Sequence, residues 1–284
     1  MTGSRRTALI SIAVVLALGI GYSVLYNTYL DTSDPLLAHL PHPLSKSHYF
    51  ASKSNILNVY FIKQGWGWTT IAFLLNWLTS PPETRTRQRF YQYLLATASW
   101  FVFAMWFFGP ALLERVIVGS GGECLLYVPS GEHFSVPHTL CYSRTTIAPA
   151  THPDLFASPA FAALSIDNLV FPDGWKGVPR LRKGHDVSGH VFLVTLAILL
   201  LVDQLRPSFY VRRQQGQQWS LVHYVAVVAN VALIAVWFLA IYTTGVYFHS
   251  PMEKVTGFVL GVLCFLPTQL PSIQIRFSEK KHTN

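Results

Sequence analysis

Charge is what this sequence has least of: Asp, Glu, Lys and Arg make up only 12% of its 284 residues, against 51% hydrophobic residues. So little charge cannot cover a soluble surface of this size, and a mean hydropathy of +0.35 points the same way. A continuous basic face interleaved with aromatic residues is also missing, so the net charge of +8 does not mark a nucleic-acid binder. The basic residues stand in short clusters between apolar runs, a pattern that sets topology in a bilayer. Three cysteines are too few for a disulfide framework. Cys124 and Cys141 share one polar segment and can pair if it faces an oxidising compartment, whereas Cys264 lies in an apolar run and reads as core. No inverted repeat with paired interrupted helices is evident, which argues against a transporter.

What is present is a series of apolar runs near the roughly 20 residues needed to cross a bilayer. They predict an all-α integral membrane protein, one domain over 1–284, with six transmembrane helices at 9–29, 56–78, 91–113, 188–205, 221–246 and 255–275. The first run exceeds the usual signal core of about 7 to 15 residues, so it reads as a retained anchor. The second is interrupted by Asn58, Lys63, Gln64 and Asn76. A lysine at membrane depth costs about 3 kcal/mol, so Lys63 is expected to face a polar cavity or reach an interface. The third is aromatic-rich, with a kink expected at Pro110. Residues 114–187 read as one long loop with weak strands around 124–128 and 139–142 and no independent domain.

Basic residues flank the spans on one side: Arg5 and Arg6, then Arg85, Arg87 and Arg89, then Arg206, Arg212 and Arg213, then Arg276, Lys280 and Lys281. The positive-inside bias makes that side cytosolic, with both termini on it. The long loop between helices 3 and 4 and the turn at His249 then face the lumen.

Two boundaries on that luminal side carry candidate chemistry. Gly184-His185-Asp186-Val187-Ser188-Gly189-His190 feeds straight into an apolar run, placing backbone N–H groups and a histidine at a positive helix end that suits phosphate. Asp186 or Ser188 can cap that helix, and Gly189 allows a phosphate close to the backbone. At the second boundary, His249 precedes Glu253 by four residues, one turn if helical, where a carboxylate can orient the imidazole. Two such histidines can divide phosphoryl transfer, one attacking phosphorus and the other protonating the leaving group. A zinc site using His185, Asp186 or Glu253 is a rival reading, although the spacing matches no strong metal motif. Packing within a helix bundle is another. The remaining histidines read as loop residues, except His223, placed as an interfacial side chain reaching out of the bilayer.

Ser188-Gly189-His190, with His249 and an acid four positions on, resembles the second and third motifs of the lipid phosphate phosphatase superfamily. Those boundaries together with Asn58-Val59-Tyr60-Phe61-Ile62-Lys63 and Trp66-Gly67-Trp68-Thr69 resemble the fat storage-inducing transmembrane (FIT) family over nearly the whole chain. The resemblance implies a multi-pass endoplasmic-reticulum membrane protein with a luminal active site. It would cleave the diphosphate of long-chain fatty acyl-CoA to acyl 4′-phosphopantetheine and adenosine 3′,5′-bisphosphate, and support lipid droplet formation. It further implies His249 as nucleophile, His190 as general acid, Glu253 as the orienting carboxylate, and neither metal nor cofactor. Membrane lipids, including diacylglycerol and triacylglycerol, are expected partners, and a non-enzymatic protein partitioning such lipids into droplets is the alternative function. The superfamily's Ser-Arg before its last histidine is Tyr242-Thr243 here, and Lys176 is followed seven residues later by Lys183 and Gly184 instead of Arg-Pro. With that arginine absent, Lys63, Lys254, Arg180, Arg182 and Lys183 are the candidate phosphate cations, alongside Ser188, Gly189 and Asp186 in substrate binding.

Overall fold

The structure, a computed structural model, describes residues 3–30, 41–104, 110–164, 171–214 and 218–270. In chain order its elements are α1 (Gly3–Leu25), α2 (Gly65–Thr79), α3 (Arg87–Ala104), α4 (Leu112–Gly119), β1 (Glu123–Tyr127) and β2 (His133–Ser135). They continue with α5 (His138–Tyr142), α6 (Pro153–Phe156), α7 (Pro159–Ala162), β3 (Arg180–Arg182), α8 (Gly189–Gln214), α9 (Leu221–Tyr247) and α10 (Pro251–Phe265). A π-helical turn, Leu57–Ile62, precedes α2. Where the sequence predicts one domain, the fold divides into two compact units, one of residues 1–29, 44–101 and 188–284, the other of residues 30–43 and 102–187.

The first unit is a helical bundle built on α8. Of the three helices among the described residues that are long and apolar enough to cross a membrane, α8 has 83% of its apolar window buried, against 28% for α1 and 33% for α9. A helix apolar on all sides belongs in the middle, and α1 and α9 flank it with apolar outer faces left for lipid. Against α8, α10 lies flush: a Cβ on Gly257 would come 2.6 Å from the Ser188 carbonyl oxygen, and one on Gly261 would come 2.9 Å from that of Phe192. Small residues four apart let two backbones approach this closely.

Several predicted spans are revised. α1 begins before residue 9 and takes in Arg5, which is buried with its Nε donating to Asp203 Oδ1 at 2.6 Å. The run 56–78 is two elements, because the chain breaks at Lys63 and Gln64; Lys63 stands exposed at the break. α2 alone has 15 residues, roughly 22 Å, short of a bilayer core of about 30 Å, so a crossing here needs the π-helical turn as well. α8 runs past Leu205 through Pro207 to Gln214, so Arg206, Arg212 and Arg213 belong to a helix and not a loop. α10 ends at Phe265 and passes into a 3₁₀ turn, Leu266–Gln269. Arg276, Lys280, Lys281, His39 and His282, and the third span's residues 105–109, fall outside the described residues.

The second unit corrects the reading of 114–187 as loop. Its sheet has the order β2-β1-β3, antiparallel throughout, with Leu126 opposite Phe134 and Cys124 opposite Leu181. Residues 139–142, expected as a strand, lie in α5, where Cys141 is bonded to Cys124. Closing a loop of 17 residues removes about 3 kcal/mol of unfolded-chain entropy. Leu126, Val128, Phe134, Val136 and Ile147 form a buried core with Phe156, Phe161, Phe171 and Trp175 packed against it.

Candidate active site

His249 occupies the junction between α9 and α10 with φ at +60°, a left-handed conformation a residue with a side chain adopts only where the surroundings hold it. The following residues form a capping box: Ser250 Oγ accepts from Glu253 N at 3.5 Å, Glu253 Oε2 accepts from Ser250 N at 2.8 Å, and Pro251 stands at the start of α10. The carboxylate so fixed, 3% exposed, lies 3.5 Å from His249 Nδ1. The four-residue spacing therefore works, but not as two positions on one helical face: His249 precedes the helix and the cap brings Glu253 back to it.

α8 supplies the second histidine. Ser188 precedes its first residue, Gly189, and Ser188 N donates to the Glu253 carbonyl oxygen at 3.0 Å, tying the start of α8 to the first turn of α10. The Gly257 contact with the Ser188 carbonyl holds the same pair of backbones together. The Ser188 hydroxyl does not cap the helix as expected. It is buried and has no hydrogen-bond partner among the described residues, and the same is true of His190 Nδ1. The first unit thus ties the start of α8, which carries His190, to Glu253 and through it to His249; Lys63 belongs to the same unit.

The other predicted residues have different surroundings. Lys254 is fully buried, and its ammonium donates to the Gly245 carbonyl at 2.7 Å and Ser23 Oγ at 3.1 Å while lying 5.2 Å from the centre of the Tyr29 ring. That is a cation stapling the C-terminal turn of α9 to α1, in place of the phosphate ligand expected. Thr28 Oγ1 donates to the Val246 carbonyl at 2.8 Å and completes the staple three residues before His249; nothing in the linear pattern marks it. Asp186 and His185 belong to the second unit, as do Arg180, Arg182 and Lys183. There Lys183 Nζ meets Glu123 Oε2 at 2.9 Å, and His185 N donates to Ser120 Oγ at 2.7 Å. The glycine at 184 is a packing requirement, since a Cβ there would come 2.0 Å from the Ile117 carbonyl oxygen. His223 is also reassigned: it is buried, with Nδ1 2.9 Å from Thr79 Oγ1 and Nε2 3.0 Å from Ser208 Oγ. Among the described residues no three His, Cys, Asp or Glu side chains converge as metal ligands.

The sequence pattern of the Fat storage-inducing transmembrane protein family matches residues 46–230 and 210–268. The chain belongs to the FIT family. It is similar to acyl-coenzyme A diphosphatase fit1 of Schizosaccharomyces pombe, with 26% identity over 88% of this chain and 78% of the relative. It is also similar to acyl-coenzyme A diphosphatase FITM2 of Xenopus tropicalis and of Homo sapiens, at 27% and 25% identity, each over 80% of this chain and 73% of the relative. No solved structure matches it. With its apolar helices, family membership makes this FIT protein a membrane protein.

Proposed function

We infer that this FIT protein is an acyl-CoA diphosphatase, cleaving long-chain fatty acyl-CoA to acyl 4′-phosphopantetheine and adenosine 3′,5′-bisphosphate. The observation that carries the reading is the tie between the His190 end of α8 and the His249–Glu253 pair, made by the hydrogen bond from Ser188 N to the Glu253 carbonyl at 3.0 Å. It is supported by the relatives named for that activity. Glu253 faces Nδ1 of His249, which directs the reactive role to Nε2. Nε2 attacks one phosphorus of the diphosphate, an N–P bond forms, and the P–O bond to the bridging oxygen breaks. The departing phosphate monoester takes its proton from His190. Water, deprotonated by His190, then attacks the phosphohistidine and frees the second monoester. The Ser188 hydroxyl, buried without a partner among the described residues, donates to a phosphate oxygen, and Lys63 supplies positive charge.

The six-span topology with cytosolic termini, an endoplasmic-reticulum location and a luminal site are part of the same proposal. A disulfide between Cys124 and Cys141 supports a non-reducing compartment for the second unit. Diacylglycerol and triacylglycerol are proposed as lipid partners of the apolar outer faces, a role that would survive loss of both histidines. The test is release of adenosine 3′,5′-bisphosphate from oleoyl-CoA by detergent-purified protein without added metal. Activity in wild type that is lost in His249→Ala and His190→Ala is expected; undiminished activity in both variants would overturn the mechanism.

A further inference from the structure

α9 ends at Tyr247, and the groups that take two of its last carbonyls come from outside it. In a helix that continued, the Gly245 carbonyl would accept from the backbone N–H of His249 and the Val246 carbonyl from that of Ser250. Here Lys254 Nζ donates to the Gly245 carbonyl at 2.7 Å, and Thr28 Oγ1 donates to the Val246 carbonyl at 2.8 Å. Ser250 N turns instead to Glu253 Oε2 at 2.8 Å. The two carbonyls that would carry α9 through His249 are thus taken by side chains, and the chain leaves the helix: Phe248 is extended and His249 is left-handed, with φ at +60°. Those side chains are themselves fixed. Lys254 and Thr28 are both buried, and Ser23 Oγ of α1 also accepts from the Lys254 ammonium, at 3.1 Å. A Cβ on Gly19 would come 3.1 Å from the Gly245 Cα, so α1 and the end of α9 meet backbone to backbone.

A left-handed residue with a side chain costs about 1–3 kcal/mol and persists only where its surroundings over-determine it. From the C-terminal side His249 is constrained by Glu253, whose carboxylate lies 3.5 Å from Nδ1. From the N-terminal side the constraint comes through the Gly245 and Val246 carbonyls. We propose that Lys254 and Thr28 are positioning residues for His249: by taking those two carbonyls they end α9 where the imidazole can face Glu253. This inference rests on His249 acting as the nucleophile of the diphosphatase reading and adds to it the groups that aim it. Without them the last turn of α9 can extend, which draws His249 towards helical φ and away from the carboxylate. An ammonium suits the place, because the carbonyls at a helix C-terminus carry partial negative charge.

The experiment measures kcat and KM for oleoyl-CoA hydrolysis per folded molecule, together with the thermal midpoint, in Thr28→Val, Thr28→Ser and Lys254→Met. Thr28→Val keeps the volume and loses the donor. Its kcat is expected to fall by about 10- to 100-fold, the effect of a slightly misplaced reacting group, with KM within about twofold of wild type. Thr28→Ser, which keeps the hydroxyl, retains the wild-type kcat. Lys254→Met should show the same split between kcat and KM, and if that variant does not fold, the two Thr28 variants decide alone. A role confined to stability lowers the midpoint of Thr28→Val and leaves its kcat per folded molecule at the wild-type value. That result, or a loss of kcat that Thr28→Ser shares, overturns this inference and leaves the diphosphatase reading standing. Wild type that does not cleave oleoyl-CoA, or a His249→Ala variant as active as wild type, overturns the reading on which the inference rests.

Discussion

The two ends of α8 handle buried polar groups in opposite ways. Near its C-terminal half, Arg89 donates to Gln204 Oε1 at 2.9 Å, to the Gln204 carbonyl at 2.8 Å, and to Ser80 Oγ and the Thr84 carbonyl at 3.1 Å each. Gln204 Nε2 donates to Gln92 Oε1 at 2.8 Å, and Asp203 accepts from both Arg5 and Arg206. About 20 Å away along the axis, the His190 end leaves the Ser188 hydroxyl and His190 Nδ1 buried without partners among the described residues. A buried polar group left unpaired costs about 1–3 kcal/mol, so the first end is built for stability and the second bears a cost that a substrate phosphate can offset.

Changes at each end should therefore separate activity from stability. The largest effect is expected from His249→Ala, which removes the proposed nucleophile: single-turnover hydrolysis falls by on the order of 10⁴-fold, while the thermal midpoint in detergent stays near wild type. His190→Ala should cost about 10²- to 10⁴-fold in kcat, with substrate binding affected far less. At the other end, Asp203→Ala leaves Arg5 buried without its carboxylate and should destabilise the fold by about 3–5 kcal/mol, with activity per folded molecule retained. Loss of activity in this variant at full stability would erase the distinction. The smallest effect is expected from Ser188→Ala: removing a buried unsatisfied hydroxyl should raise stability by about 1 kcal/mol while raising KM, both measurable on one preparation. A Ser188→Ala protein less stable than wild type would place a partner on that hydroxyl.

The reassignment of Lys254 and His223 explains where sequence reading ran out. Both are polar residues at the ends of apolar runs, and from the sequence a lysine beside a candidate nucleophile reads as a phosphate ligand. Its actual partners, Gly245 and Ser23, come from two other helices, and the choice between a carbonyl and a substrate depends on which helix end packs beside it. Arg89, which the sequence offers as one of three flanking arginines, is buried, and a flanking arginine and a buried one look alike until Gln204 is placed opposite. In residues 114–187 the signals are short strands under six residues and isolated aromatics, too local to reveal the core that Cys124, Phe134 and Ile147 share.

The sequence by itself determined the helical membrane class, the near-complete extent of α9 and the family, because apolar periodicity and short motifs are properties of neighbouring residues. Tertiary structure alone decided that α8 lies at the centre, that its start is bonded to the first turn of α10, and that Lys254 is a staple to α1. Each of these depends on groups far apart in the chain meeting in space, and only the packed helices bring them into contact.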